Sequence, residues 1–251
     1  MTMTATDVTD ISPIDHREAM QLQATELERA VAMLRTLGPD DWATQTVCPD
    51  WDVREMWLHV LGACEAGASM RENMHQMAAA RKRCKQLGVP LEAGLSGVQV
   101  AERLDLSPAD LVEQLEQIAP KTIKGRSRTP RPMRAIKMGI DAPVVEKWAL
   151  GYLIDIIYLR DAWMHRVDTA SVTGSDLVLT PEHDGRIVAD VVAEWARRHG
   201  QPFTLELTGP AGGTFTAGSG AEPIDMDAVE FCSVLSGRGE ASGLLTTIVP
   251  F

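Results

Sequence analysis

The chain has 251 residues, 45% of them hydrophobic and 24% charged, with a formal net charge of −11. That length and apolar fraction support one or two folded domains and exclude a disordered or fibrous polypeptide. The acidic balance argues against non-specific binding to nucleic acid or an anionic membrane, and no apolar run reaches the length of a membrane span.

The four cysteines, Cys48, Cys64, Cys84 and Cys232, form neither a CxxC pair nor a disulfide framework. The opening MTMTATDVTDISP has no apolar signal region. A reducing, cytoplasmic setting is the expectation.

Ser12-Pro13-Ile14-Asp15 reads as a helix start, with Ser12 as N-cap and Pro13 in the first turn. Met20, Leu27, Val31 and Leu34 recur at helical spacing and predict a helix to Leu37, ended by Gly38-Pro39. Asp52 and Glu55 form a capping pair for a second helix, which carries Met56, His59, Val60 and Ala63 on one side. Helix is expected on to about Leu87, then a loop through Gly88, Pro90, Gly94 and Gly97. Ser107-Pro108-Ala109-Asp110 starts another helix, with Leu111, Leu115 and Ile118 inside and Pro120 as its stop.

Residues 121–137, KTIKGRSRTPRPMRAIK, hold seven basic residues and no acid. A solvated loop is the plain reading, and steering of an anionic ligand the functional one. Asp141-Ala142-Pro143 is then expected to open the longest helix, to about Ala170. Its core stripe would be Val145, Trp148, Tyr152, Ile156, Leu159, Trp163 and Val167. Helices of this number and length predict a four-helix bundle, a fold that builds sites from facing helices.

After Gly174 the pattern changes. Leu177-Val178-Leu179 is strand-like, and Thr180-Pro181-Glu182 starts a helix with Ile187, Val191 and Trp195 inside, ending near His199-Gly200. Residues 203–208 alternate at period two, as a half-buried strand does, and Thr214–Ala217 can pair with them as a hairpin. Asp227 caps a last helix to Leu235. The expected class is mainly α: a bundle over residues 1–172, followed by a small α+β domain over residues 173–251.

Within RDAWMHRVD, residues 160–168, Asp161 and His165 stand at i and i+4 and share a helix face. His59 lies on the inward stripe of the second helix. A histidine from a packed neighbour would complete a three-ligand divalent-metal site with positions left open, a type that is catalytic more often than structural. The plainer alternative is a helix-surface ion pair with His59 as a core histidine. Two histidines and a carboxylate suit zinc, and the same set describes a non-haem iron centre.

Arg160, Arg166 and Asp168 flank this set. Asp168 is the best placed of them to accept from an imidazole N–H. Cys48 and Cys64 read as small packed residues, since nothing local supplies a base. Trp51, Trp57, Trp148, Trp163 and Trp195 read as core. His16, His75, His183 and His199 have no partner at ligand spacing and receive no role.

Three segments, CPDWDVREMWLHVLG (48–62), YLRDAWMHRVDTA (158–170) and LSGRGEASGLLTTIVPF (235–251), resemble the actinobacterial family of mycothiol-dependent maleylpyruvate isomerases, within the DinB-like superfamily. Their order and spacing cover nearly the whole chain. The resemblance implies a DinB-like metal-binding helical bundle followed by a small α+β domain. It carries metal-ligand roles onto His59, Asp161 and His165. The family pattern has glutamate where this chain has Asp161, which shortens the reach by one methylene. The family also has an active-site arginine near its C-terminus, and the SGR tripeptide puts that role on Arg238.

The resemblance further implies mycothiol as thiol cosubstrate and a small electrophile bearing a carboxylate, turned over by isomerisation or S-transfer; zinc is the first choice of metal, because thiol chemistry favours a redox-silent Lewis acid. No nucleic acid or membrane partner is expected. A non-catalytic ligand-binding protein on the same fold and a non-haem iron oxygenase on the same triad are the rival classes.

Overall fold

The computed structural model describes residues 5–141, 145–220 and 223–251. The architecture is mainly α with a small α+β part. Two compact units make up the chain: Asp15–Leu177, and Val178–Phe251 together with the segment ending at Ile14. The short strand β1 (Thr6–Asp7) explains why the N-terminus joins the second unit. It adds a parallel edge to a sheet whose other strands lie beyond residue 200. A division at 172/173 puts these residues with the bundle instead, because nothing local in a two-residue strand announces its distant partner.

In the first unit, helix α1 (His16–Leu34) starts one turn later than Ser12 implies. Asp15 is the N-cap, and its carboxylate accepts the Glu18 N–H at 2.8 Å. Met20, Leu27, Val31 and Leu34 are all buried, as their spacing predicts. Helix α2 (Val53–Ala68) opens on the expected capping box. Asp52 accepts from Glu55 N at 2.8 Å, while the Glu55 carboxylate accepts from Asp52 N at 3.2 Å.

Replacing Asp52 with alanine removes one half of this box and is expected to cost about 1–2 kcal/mol. The thermal midpoint should fall by a few degrees with the metal content unchanged. An unaltered melting curve would show that packing alone sets the start of α2.

Helix α3 (Met70–Leu87) is followed by α4 (Leu91–Ala101), where a loop is expected. Gly94 and Gly97 are packing positions rather than breakers. A Cβ at Gly94 would collide with the Cys84 sulfur, and one at Gly97 would stand 2.6 Å from Arg83 Nε. The glycines let α4 lie close on α3, and that contact offsets their poor helix propensity.

Helix α5 (Pro108–Ser127) likewise runs straight through Pro120. The proline forfeits one backbone hydrogen bond. Beyond it, Thr122 donates to the Cys64 carbonyl at 2.7 Å, and Gly125 meets the Gly67 backbone, so the far half of the helix is held onto α2. The basic run 121–137 is therefore not a loop. It forms the end of α5, the single turn α6 (Arg131–Arg134) and the start of strand β2 (Lys137–Ile140).

The expected helix opening at Asp141 is also corrected. Ala142 and Pro143 lie outside the described residues. Strand β3 (Glu146–Ala149) then pairs antiparallel with β2, Met138 facing Trp148. Val145 is 81% exposed and is no core residue, whereas Trp148 is buried against Ile140 and Ile157. The period here is two, and Lys147 on the open face hides it within a longer apolar pattern.

Helix resumes in α7 (Leu150–Tyr152), passes through a π turn (Leu153–Ile157) and continues as α8 (Tyr158–Thr173), ended by Gly174 at φ +70°. The π turn adds a residue and shifts the buried stripe, so Ile154 and Ile157 face inward where a uniform helix would turn Ile156. Asp155 in this turn accepts from His16 at 2.7 Å and from Arg134 at 3.0 Å. The buried Arg166 grips Glu26 bidentately at 2.6 and 3.0 Å and ties α8 to α1.

In the second unit, Leu177–Leu179 joins no sheet among the described residues, and Val178 is exposed. A π turn (Pro181–Gly185) leads into α9 (Arg186–His199). Strand β4 (Phe203–Thr208) buries Phe203, Leu205 and Leu207 in strict alternation. It pairs antiparallel with β5 (Gly213–Ala217) and parallel with β6 (Pro223–Asp227), giving the sheet order β1-β5-β4-β6. Helix α10 (Ala228–Leu235) is capped by Asp227 as expected. Trp195 packs edge-on against Phe203 and Phe231 at the centre of this unit. No described helix is long and apolar enough to cross a membrane.

Candidate metal centre

The capping box fixes where α2 begins, and the helical period then sends His59 inward beside Met56 and Val60. A cross-link sets its distance from α8. The Trp57 indole N–H donates to Thr169 Oγ1 at 2.9 Å, and that hydroxyl donates to the His165 carbonyl at 2.7 Å. Two helices so pinned bring His59, Asp161 and His165 together, with one ligand-type atom of each within 4.8 Å of the others.

The separations are informative. Asp161 Oδ1 lies 3.3 Å from His165 Nε2, and Asp161 Oδ2 lies 3.7 Å from His59 Nε2. Both exceed a good hydrogen bond. Two donors about 2.1 Å from one tetrahedral ion stand about 3.4 Å apart. Among the described residues, buried His165 Nε2 has no hydrogen-bond partner, and neither has His59 Nδ1. An orphaned His165 Nε2 at 3.3 Å from the Asp161 carboxylate, with His59 Nε2 at 3.7 Å from its other oxygen, fits a divalent cation better than a closed hydrogen-bond network.

Electrostatics point the same way. Burial opposes ionisation of Asp161, yet His165 and then His59 hold its carboxyl well below the usual carboxylate range. Burial likewise opposes charge on His165, but Asp161 and then Asp168 overcome it and push the imidazole up to about 9. The cluster thus holds more negative charge than it can leave unbalanced, and it attracts a proton or a metal ion.

Several outer residues shape the cluster. Asp168 Oδ2 stands 3.4 Å from His165 Nδ1, the arrangement that orients a ligating imidazole so that Nε2 offers its lone pair. The indole of Trp51 stacks on His59, centroids 5.1 Å apart at 26°. Asp161 also borders a cavity of about 10 Å³, room for one water, together with Gln23, Cys64, Arg126 and Tyr158. Arg126 donates to Gln23 at 2.8 Å and lies over the Tyr158 ring at 4.0 Å, and its Nε has no partner among the described residues.

Two of these neighbours escape sequence reasoning. Arg126 sits in the run read as a solvated loop. Cys48, read as a packed residue, offers its sulfur within 4.8 Å of ligand-type atoms of His165 and Asp168. The CPDW turn that carries Cys48 was the available signal for the second; nothing local marks Arg126. Cys64 is a packed residue, and burial pushes its thiol up. Of the other flanking residues, Arg166 is taken by Glu26, and Arg160 is buried. His16 and His75 pair with Asp155 and Glu102 respectively, away from the triad. Arg238 belongs to the second unit, in the turn after α10, where its N–H donates to the Ser233 carbonyl at 2.9 Å.

The family profile described as "Mycothiol maleylpyruvate isomerase N-terminal domain" matches residues 23–170. The chain belongs to this family. The match takes in α2 and nearly all of α8, and with them all three members of the triad. Among solved structures, a mycothiol-dependent maleylpyruvate isomerase and a mutant of it each superpose with a TM-score of 0.57 at 15% identity. Each comparison covers 93% of this chain and 92% of the other. At that identity the likeness establishes a shared fold, which extends beyond the bundle into the α+β unit. A comparison with curated protein sequences returned no match.

Proposed function

We propose that the protein is a divalent-metal-dependent enzyme that uses mycothiol as its thiol cosubstrate and acts on a small electrophile bearing a carboxylate, by isomerisation or S-transfer. The observation that carries this reading is the convergence of His59, Asp161 and His165 from two helices of a mycothiol maleylpyruvate isomerase family domain. Three protein donors leave a coordination position open, which a structural site would close with a fourth. Zinc is the first choice, because thiol chemistry favours a redox-silent ion. When bound, the ion would supply Lewis acidity that lowers the pKa of a coordinated thiol.

The chain's own residues do the rest. His59, Asp161 and His165 fix the donor geometry. Asp168 holds His165 in one tautomer. Trp51 shields one face of His59 from water. Arg238, assigned by its place in the SGR tripeptide, has the planar fork that pairs with a substrate carboxylate.

In isomerisation, the sulfur adds to a conjugated carbon and the neighbouring double bond becomes single. Rotation follows, and loss of the same sulfur restores the double bond with the opposite geometry. The thiol returns unchanged. In S-transfer the addition product simply leaves.

Mycothiol-dependent conversion of maleylpyruvate, measured with metal-loaded protein, tests the reading. Arg238→Ala is expected to lower kcat/KM about 10²-fold through lost orientation, with the metal content unchanged. Full activity in that variant would remove Arg238 from the site. No thiol-dependent turnover of maleylpyruvate or another carboxylated electrophile would overturn the reading as a whole.

A further inference from the structure

We propose that the cleft between α3, α4 and the turn before α2 binds the hydroxyl-rich, glycosidic part of the thiol cosubstrate, an inference that rests on the functional reading above. The cleft has a volume of about 550 Å³, and Asp50, Trp51, Glu55, Arg83, Leu87 and Leu104 are among the residues that line it. That is the size of a small-molecule site.

Its position is the first argument. The same indole that lines the cleft is stacked on the triad histidine His59. A molecule seated there lies one indole away from the candidate metal centre.

Its chemistry is the second. Arg83 is half-buried, yet its guanidinium makes no ion pair or hydrogen bond among the described residues. It lies against Gly97, where a Cβ would stand 2.6 Å from Nε, so the glycine keeps room for the guanidinium beside α4. Five N–H donors are thereby presented with nothing of the protein to receive them. Opposite charges share the same lining: Asp50 makes no ion pair or hydrogen bond among the described residues, and Glu55 commits one carboxylate oxygen to the Asp52 N–H.

An anion would meet two carboxylates there, and a cation would meet the guanidinium. A neutral polyol suits both, because each hydroxyl donates to a carboxylate and accepts from a guanidinium. Trp51 and the partly exposed Leu87 and Leu104 add the apolar surface on which sugar C–H faces rest. Mycothiol joins a cysteinyl thiol to a glycoside of inositol, so the hydroxyl-rich end and the sulfur belong to one molecule.

S-Methylmycothiol, whose sulfur is blocked, is the probe. Calorimetric titration into the metal-loaded protein should show binding. Ala93→Trp, which fills the cleft from α4, should weaken it at least tenfold, and Arg83→Ala several-fold. Melting temperature and metal content serve as folding controls. Affinities in both variants equal to that of the unaltered protein would overturn the proposal. So would failure of the probe to bind a protein that still shows mycothiol-dependent turnover, a result that leaves the functional reading intact. Binding abolished by Ala93→Trp in a protein without any such turnover would uphold the cleft and overturn the functional reading.

Discussion

His165→Ala and His59→Ala are each expected to strip the purified protein of its divalent metal on dialysis, with affinity reduced by more than about 10²-fold. The bound comes from the milder case: removing even an outer partner of a ligating histidine typically costs 10–100-fold. The described structure offers a control within the same chain. Glu72, His75 and Glu102 also bring ligand-type atoms within 4.8 Å of one another. There, however, the Arg103 guanidinium already sits 3.2 Å from Glu72, and His75 accounts for Glu102 at 3.0 Å. That cluster is balanced without an ion, whereas in the inner one His165 Nε2 and His59 Nδ1 have no hydrogen-bond partner among the described residues. His75→Ala should therefore keep the full metal content. Elemental analysis of the three variants decides the matter. Equal content in all of them would mean that the inner triad holds no ion and that its polar groups serve architecture alone.

The ease with which this triad is found from sequence has a physical cause. Asp161 and His165 lie one turn apart on a single helix, and helical geometry alone makes them neighbours. The caps are legible for the same reason. Asp52 with Glu55, Ser107 with Asp110 and Asp227 with Val229 each close a hydrogen bond within three residues.

What local pattern misreads is what distant packing decides. Gly94 and Gly97 look like loop residues until α3 lies against them, and Pro120 looks like a stop until Thr122 and Gly125 lock onto α2. The two-residue β1 has no meaning without β5, some two hundred positions away. Arg126 is the instructive case at the site itself. Among seven basic residues it has no distinguishing neighbour, and only the fold turns it inward toward Gln23 and Tyr158 while Arg128 stays exposed.

Metal affinity should also rise with pH, about tenfold per unit, between about pH 6.5 and 8.5. The sign follows from His165, whose imidazole is raised from an ordinary 6.5 to about 9, so that below this value the folded protein holds a proton where an ion would bind. Each ion must displace that proton. Asp161, held well below the usual carboxylate range, is already ionised throughout and releases none.

The metal-free protein should respond in the opposite direction. The favourable contacts of protonated His165 with Asp161 and Asp168 contribute fully below about pH 6.5 and are lost as pH rises through about 9. The melting temperature of the metal-free form therefore falls across this window while the increment added by metal grows. Titrations in two buffers of different ionisation heat should count about one proton released per ion from His165 near neutral pH. An affinity that stays flat from about pH 6.5 to 8.5 would mean that the imidazole is already neutral before the ion arrives. The carboxylates around it would then be balanced by some other charge.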